Sequence, residues 1–288
     1  MFIKQLCNVL LSPMRRLYDP QAKGQLNIVA FISGSGTNLE RILELEASMR
    51  DGEGSHFRVQ AVCADRLGTR IDEISEAFSV PSVVFSLDEF CRDRGVRRAD
   101  HSVRPEYFDI VMNHQLINGA DAFVLAGYKV LMPENVLTRM GPMVFNVHPA
   151  DLSIRDPQGR AVYIGEHGVR DAILSGETQI RSSTQIATGE MDCGPPLLIS
   201  APVNVKLPVG ITIGELKLAQ NRDLLRKISS EHQDRLKAEG DWFILPRTIL
   251  EVARGNFALE NDGTMHYFNG SAWIPIPRGL DATTNTPR

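Results

Sequence analysis

The chain has 288 residues, 43% apolar and 23% charged, with a formal net charge of −4. That is an ordinary globular balance, and the length allows one large domain or two small ones around a sizeable core. The slight acidity gives no basic footprint and argues against a nucleic-acid partner, although a small phosphorylated substrate needs only a local pocket.

Residues 1–25 read as an N-terminal extension, with a short apolar run at 6–11 that predicts one or two amphipathic turns. That run is too short for a secretory signal, and no stretch approaches the roughly 20 apolar residues that cross a bilayer. Residues 26–32 form an apolar run that meets the turn Ser33-Gly34-Ser35-Gly36, and a helical pattern follows with Leu39, Ile42 and Leu43 on one face. Strands are predicted at 57–63, 80–85, 122–126 and 143–147, with helices between them, one of them over 107–117. Strand and helix alternating through short connections predict an α/β fold: a Rossmann-like open sheet, mostly parallel, with helices on both faces. Two extended segments, 184–188 and 197–205, flank the turn at 189–196. Residues 213–238 are helical and highly charged. Asn261-Asp262-Gly263 and Asn269-Gly270 are hairpin signals, so 213–280 reads as a C-terminal helix and β-hairpin extension on the catalytic unit 26–212. Residues 281–288 read as a flexible tail. The four cysteines show no CxxC pair and no metal spacing, which fits a reducing, cytoplasmic setting without a metal.

Three features carry chemistry. The Gly-rich turn before a helix offers free N–H groups to an anion, with Thr37 and Asn38 adding side-chain donors. It is neither GxGxxG nor a P-loop, which favours a phosphate monoester over a dinucleotide. Asn146 and His148 lie two apart at a strand end, so their side chains project from one face, where open α/β sheets bind ligands. Such a pair can stabilise an oxyanion and move protons. Asp192, in a turn between two strands, can orient His148 if it reaches it. Taken singly, each has a plain structural alternative: a capped turn, a strand-end histidine bonded to backbone, an aspartate closing its own turn.

Ile28-Val-Ala-Phe-Ile-Ser-Gly-Ser-Gly-Thr-Asn-Leu39, Val124-Leu-Ala-Gly-Tyr128, Asn146-Val-His-Pro149 and Asp192-Cys-Gly-Pro195, in this order, resemble the glycinamide ribonucleotide formyltransferases. The resemblance runs from about Leu26 to about Trp273. It implies 10-formyltetrahydrofolate as co-substrate and an amine as acceptor, with Asn146, His148 and Asp192 as the catalytic trio. It implies that Gly36, Thr37 and Asn38 hold the substrate phosphate and that Glu231 holds ribose hydroxyls. Leu125, Ala126, Gly127, Tyr128, Glu190 and Met191 match the pterin pocket. Small-molecule partners and a monomer or homodimer are expected.

The chain departs from the family pattern after His148-Pro149, where it reads Ala150-Asp-Leu-Ser-Ile-Arg-Asp-Pro-Gln-Gly-Arg160. Val169 replaces the second histidine of a family pair whose first matches His167, the segment after Gly127 is one residue shorter, and Cys193 replaces a small residue. These departures keep other readings open: another amine such as an amino sugar or a natural-product intermediate, hydrolysis of formyltetrahydrofolate, or a nucleotide-binding regulatory protein on the same fold.

Overall fold

The computed structural model describes residues 14–50 and 54–288; the amphipathic turns expected at 6–11 lie outside them. Nine strands form the central sheet: β1 (Leu26–Ile32), β2 (Phe57–Ala64), β3 (Ser82–Val84), β4 (Ala122–Leu125), β5 (Val144–His148), β6 (Ser183–Ile186), β7 (Pro196–Ile199), β8 (Leu280–Asp281) and β9 (Thr286–Pro287). Their order across the sheet is β9-β8-β7-β6-β5-β4-β1-β2-β3. The pairs on β1 through β5 are parallel, β6 runs antiparallel to both β5 and β7, and β8 is parallel to β7.

The composition of β1 explains its place at the centre. Leu26, Ile28, Ala30 and Ile32 pack on one face with Leu39 and Ile42 of the Thr37–Arg50 helix and with Ile244, Leu245 and Ile249 of the Trp242–Ala253 helix. Val29 and Phe31 face the other way, against Leu87, Tyr107, Phe108 and Val111. A strand covered on both faces has no solvent side, and its sequence is apolar at nearly every position. Strand order turns at β1: β2 and β3 extend to one side, β4 and β5 to the other. Such a switch point opens a crevice at the carboxyl ends of the strands.

Both hairpin signals sit at hairpin turns, joining Phe257–Leu259 to Met265–Phe268 and Met265–Phe268 to Trp273–Pro275. Arg15–Arg16, within the expected N-terminal extension, adds a fourth antiparallel strand to this small sheet. The helical stretch expected at 213–238 is in pieces, a short helix Ile213–Leu216, the long helix Arg222–Leu236 and then a π-helical turn, Lys237–Asp241.

The tail at 281–288 departs from its expected flexibility. Leu280–Asp281 pairs parallel with β7, and Thr286–Pro287 pairs back on it. The Asp281 carboxylate accepts from the backbone N–H groups of Thr283 and Thr284 at 2.9 and 3.3 Å. Arg288 reaches Asp281 at 3.4 Å and Asp151 at 3.1 Å. Composition marked the segment as polar and unstructured; its order comes from ion pairs to residues distant in sequence.

Candidate active site

A cavity of about 550 Å³ lies at the switch point, walled by the carboxyl ends of β1, β4 and β5 and by the π-helical turn. Gly36, Thr37, Asn38, Leu125, Ala126, Gly127, Tyr128, Asn146, His148, Glu190, Met191 and Asp192 all line it. Glu231 does not. It lies on the outer face of the Arg222–Leu236 helix, its side chain 60% exposed and 4.0 Å from Lys227. The residues of that region that reach the cavity are Gln233, Lys237 and Asp241.

The loop after β1 is shaped for close approach. Gly36 has φ +68°, which favours glycine, and a Cβ there would stand 2.4 Å from Ile74 Cδ1 and push that side chain aside. Thr37 opens the helix Thr37–Arg50, whose first N–H groups lack intrahelical partners. Thr37 Oγ1 and Asn38 Oδ1 are buried without hydrogen-bond partners. Lys237 brings its ammonium to 3.3 Å from Ser35 Oγ. Arg70, beside the loop, is held by Glu40 at 2.9 Å and Glu73 at 2.5 Å.

Asp241 was not foreseen. It is buried at the end of the π-helical turn and accepts from Ser182 Oγ at 2.5 Å. Burial pushes its carboxyl up to about 6, against hydrogen bonds from Ser182 and Asn38 and the charge of Lys237, which pull it down. Its sequence signal was slight: an acid directly before the apolar run Trp242-Phe-Ile-Leu245. The extra residue of a π turn re-aims a side chain without ending the helix, and such turns recur at functional sites.

The trio converges. Asn146 and His148 lie on β5, and Asp192 faces them from the turn between β6 and β7, in the left-handed region at φ +55°. Its Oδ2 accepts from the Gly165 N–H at 2.9 Å and lies 3.3 Å from His148 Nδ1. Its Oδ1 accepts from Gln185 Nε2 at 2.8 Å and from Asn146 Nδ2 at 3.5 Å. Two short bonds anchor the carboxylate, and two long contacts touch the candidate catalytic donors. His148 is buried, and its Nε2 lies 2.9 Å from the Tyr163 carbonyl oxygen. Both ring nitrogens thus face acceptors, an arrangement that suits two N–H donors. Gly168 sits against this contact, since a Cβ there would stand 3.1 Å from the Tyr163 oxygen and 3.2 Å from His148 Nε2. Sequence reasoning missed Gln185, Gly165 and Tyr163; Gln185 is one polar residue among others in the segment 184–188 and carried no signal of its own.

Beside the trio, Leu125, paired with Asn146 across the sheet, and Ala126 are buried apolar residues, while Met191, next to Asp192, is half exposed. The Tyr128 ring packs against Phe31 at 5.3 Å between centroids, and burial holds its phenol well above the usual range. Cys193 is exposed; partial burial and the carboxylates of Glu190 and Asp192 raise its thiol, the reverse of an activated nucleophile.

The model of the family described as formyl transferase matches residues 26–209, which spans the central sheet through β7 and the whole trio. The chain belongs to the formyl transferase family. The phosphoribosylglycinamide formyltransferase of Mycobacterium tuberculosis is 30% identical over 186 residues, 65% of this chain and 74% of that protein. The Escherichia coli enzyme of the same name is 26% identical over 191 residues, 64% and 74% of the two chains. Among solved structures, glycinamide ribonucleotide transformylase 1 from Symbiobacterium toebii superposes with a TM-score of 0.57 at 25% identity, covering 82% of this chain and 92% of that one. The phosphoribosylglycinamide formyltransferase of Coxiella burnetii shares the fold, with a TM-score of 0.63 at 19% identity over 89% and 99% of the chains. This transferase moves a formyl group, with a formyltetrahydrofolate as the one-carbon donor. No helix among the described residues is long and apolar enough to cross a membrane.

Proposed function

We propose that the enzyme transfers the formyl group of 10-formyltetrahydrofolate to the amine of glycinamide ribonucleotide, a purine-biosynthetic reaction in the cytoplasm. The convergence of Asn146, His148 and Asp192 on one wall of the cavity carries this reading. The Gly36–Asn38 loop, with the unpaired Thr37 hydroxyl, the free N–H groups at the helix start and Lys237 nearby, suits the phosphate of the acceptor. Asp241 suits its hydroxyls, in the role that the resemblance gave to Glu231. The wall of Leu125 to Tyr128, with Glu190 and Met191 opposite, suits the pterin.

The neutral acceptor amine attacks the formyl carbon, and the carbonyl oxygen gains negative charge. Asn146 Nδ2 turns from its 3.5 Å contact with Asp192 to donate to that oxygen. His148 Nδ1–H, held at 3.3 Å, can be shared the same way, while Nε2 stays on the Tyr163 carbonyl. Asp192 accepts the proton that the attacking amine sheds and returns it to the leaving folate nitrogen as the tetrahedral intermediate collapses. Proton and formyl group exchange places, so no metal or redox partner enters the balance.

One observation favours a second reading, transfer to a different amine. The Glu231 expected to hold ribose is outside the cavity, and Asp241, the acid that the π-helical turn brings into it, is already engaged by Ser182. Steady-state assays with 10-formyltetrahydrofolate and either glycinamide ribonucleotide or a panel of amino sugars, following folate release by absorbance, separate the two. Turnover with glycinamide ribonucleotide that is abolished in His148→Ala supports the proposal. Turnover only with another amine establishes the second reading, and equal turnover without any amine makes the enzyme a hydrolase.

A further inference from the structure

The Asp192 carboxylate is fixed by two groups that take no part in the proton inventory. One is the Gly165 backbone N–H at 2.9 Å, and the other is the Gln185 side-chain amide at 2.8 Å. Gln185 lies on β6 directly opposite Asn146 of β5, so the antiparallel register places its amide beside the trio. It is 1% exposed. A carboxylate only accepts, so the Nε2 donors face Asp192 and Oε1 turns away. There Oε1 is buried without a partner. An unpaired buried carbonyl is destabilising, and a methionine of similar shape would avoid it. Stability therefore does not explain a glutamine at this position; its bond to Asp192 does.

We propose that Gln185 is a positioning residue for formyl transfer: its neutral amide anchors Asp192 Oδ1, which leaves Asn146 and His148 only loosely engaged and free to turn to the reacting carbonyl. Without this anchor, Oδ1 settles on its next donor, Asn146 Nδ2, now 3.5 Å away, and holds the oxyanion donor back. Side-chain chemistry narrows what can serve. An arginine or lysine would neutralise Asp192 and draw it from His148, a second carboxylate would repel it, and an amide does neither and does not titrate.

The catalytic half of this inference rests on the formyl-transfer reading; the anchoring half does not. Gln185→Met is expected to lower kcat about tenfold or more, the loss of one hydrogen bond to a charged group. KM for donor and acceptor should stay within about twofold, because uniform binding is untouched. Its Tm should stay within a few degrees of the wild type, because loss of the unpaired carbonyl offsets the lost bond to Asp192, whose Oδ1 takes up Asn146 instead. Gln185→Glu should lose more at neutral pH and recover part of the loss as the pH falls and the introduced carboxyl is protonated. Nitrogen-15 spectra of the His148 ring give a readout free of turnover: both variants should shift its resonances. If the wild type transfers no formyl group to any amine, the functional reading fails while the spectra still decide the anchoring. A Gln185→Met enzyme with wild-type kcat and unmoved His148 resonances overturns the proposal. So does one that loses folded protein in step with activity, because that makes Gln185 a structural residue.

Discussion

Asp241 ties stability to function in opposite senses, and Asp241→Asn separates them. The carboxyl is buried, and burial raises it from the ordinary 3.8 to about 6 in the folded chain. The folded state thus holds the proton more tightly than the unfolded one, so this group's contribution to stability is full below about pH 3.8 and is lost as the pH rises through 6. At pH 8 the difference corresponds to roughly 3 kcal/mol, spent on keeping a charge in the cavity wall. Asparagine keeps the oxygen that accepts from Ser182 Oγ and removes the charge. Asp241→Asn is expected to be more stable at pH 8, by up to about 3 kcal/mol or roughly 5–10 °C in Tm, and nearly equal to the wild type at pH 4. Acceptor KM should rise about tenfold at pH 8, through loss of a charge-assisted hydrogen bond. Calorimetry at both pH values, with steady-state kinetics beside it, checks all three. A variant less stable than the wild type at pH 8, or shifted equally at both pH values, refutes the reasoning.

Other expectations are more compact. Asn146→Ala should lower kcat about 10²–10³-fold with little change in Tm, as for the loss of one oxyanion donor; a change under fivefold in single-turnover rate argues against that role. Glu231→Ala should leave kcat and acceptor KM within about twofold, because the side chain is 60% exposed and outside the cavity; a tenfold rise in KM would restore it to the site. Gly36→Ala should destabilise by about 1–3 kcal/mol in urea unfolding and raise acceptor KM, from positive φ and the 2.4 Å approach to Ile74; wild-type values for both would contradict the tight-loop account.

The sheet was legible because its strands are buried on both faces and carry that burial as near-continuous apolar runs. The crevice was legible because Gly36 and the strand-end pair Asn146 and His148 sit where alternating strand and helix must open one. What stayed hidden depends on contacts across large sequence separations. The β5–β6 register places Gln185 beside Asp192, and nothing in the segment 184–188 reports that pairing. The π-helical turn brings Asp241 into the cavity while Glu231 stays outside it, a placement that helical periodicity cannot anticipate. The segment 281–288 reads as polar and free until Arg181, Asp151 and Arg288 are seen together. A strand-end histidine bonded to backbone was one expected alternative for His148, and the Tyr163 carbonyl, 15 residues on, does occupy its Nε2 while Nδ1 faces Asp192.

The central claim, formyl transfer between two small molecules through Asn146, His148 and Asp192, is tested most directly by a single-turnover experiment. The wild type is mixed with 10-formyltetrahydrofolate carrying a carbon-13 formyl group and with glycinamide ribonucleotide, and the acceptor is weighed by mass spectrometry. The account predicts an acceptor heavier by one labelled formyl group in place of a proton, formed by the wild type and not by Asp192→Asn. Label recovered only as free formate, or transferred equally well by Asp192→Asn, contradicts it.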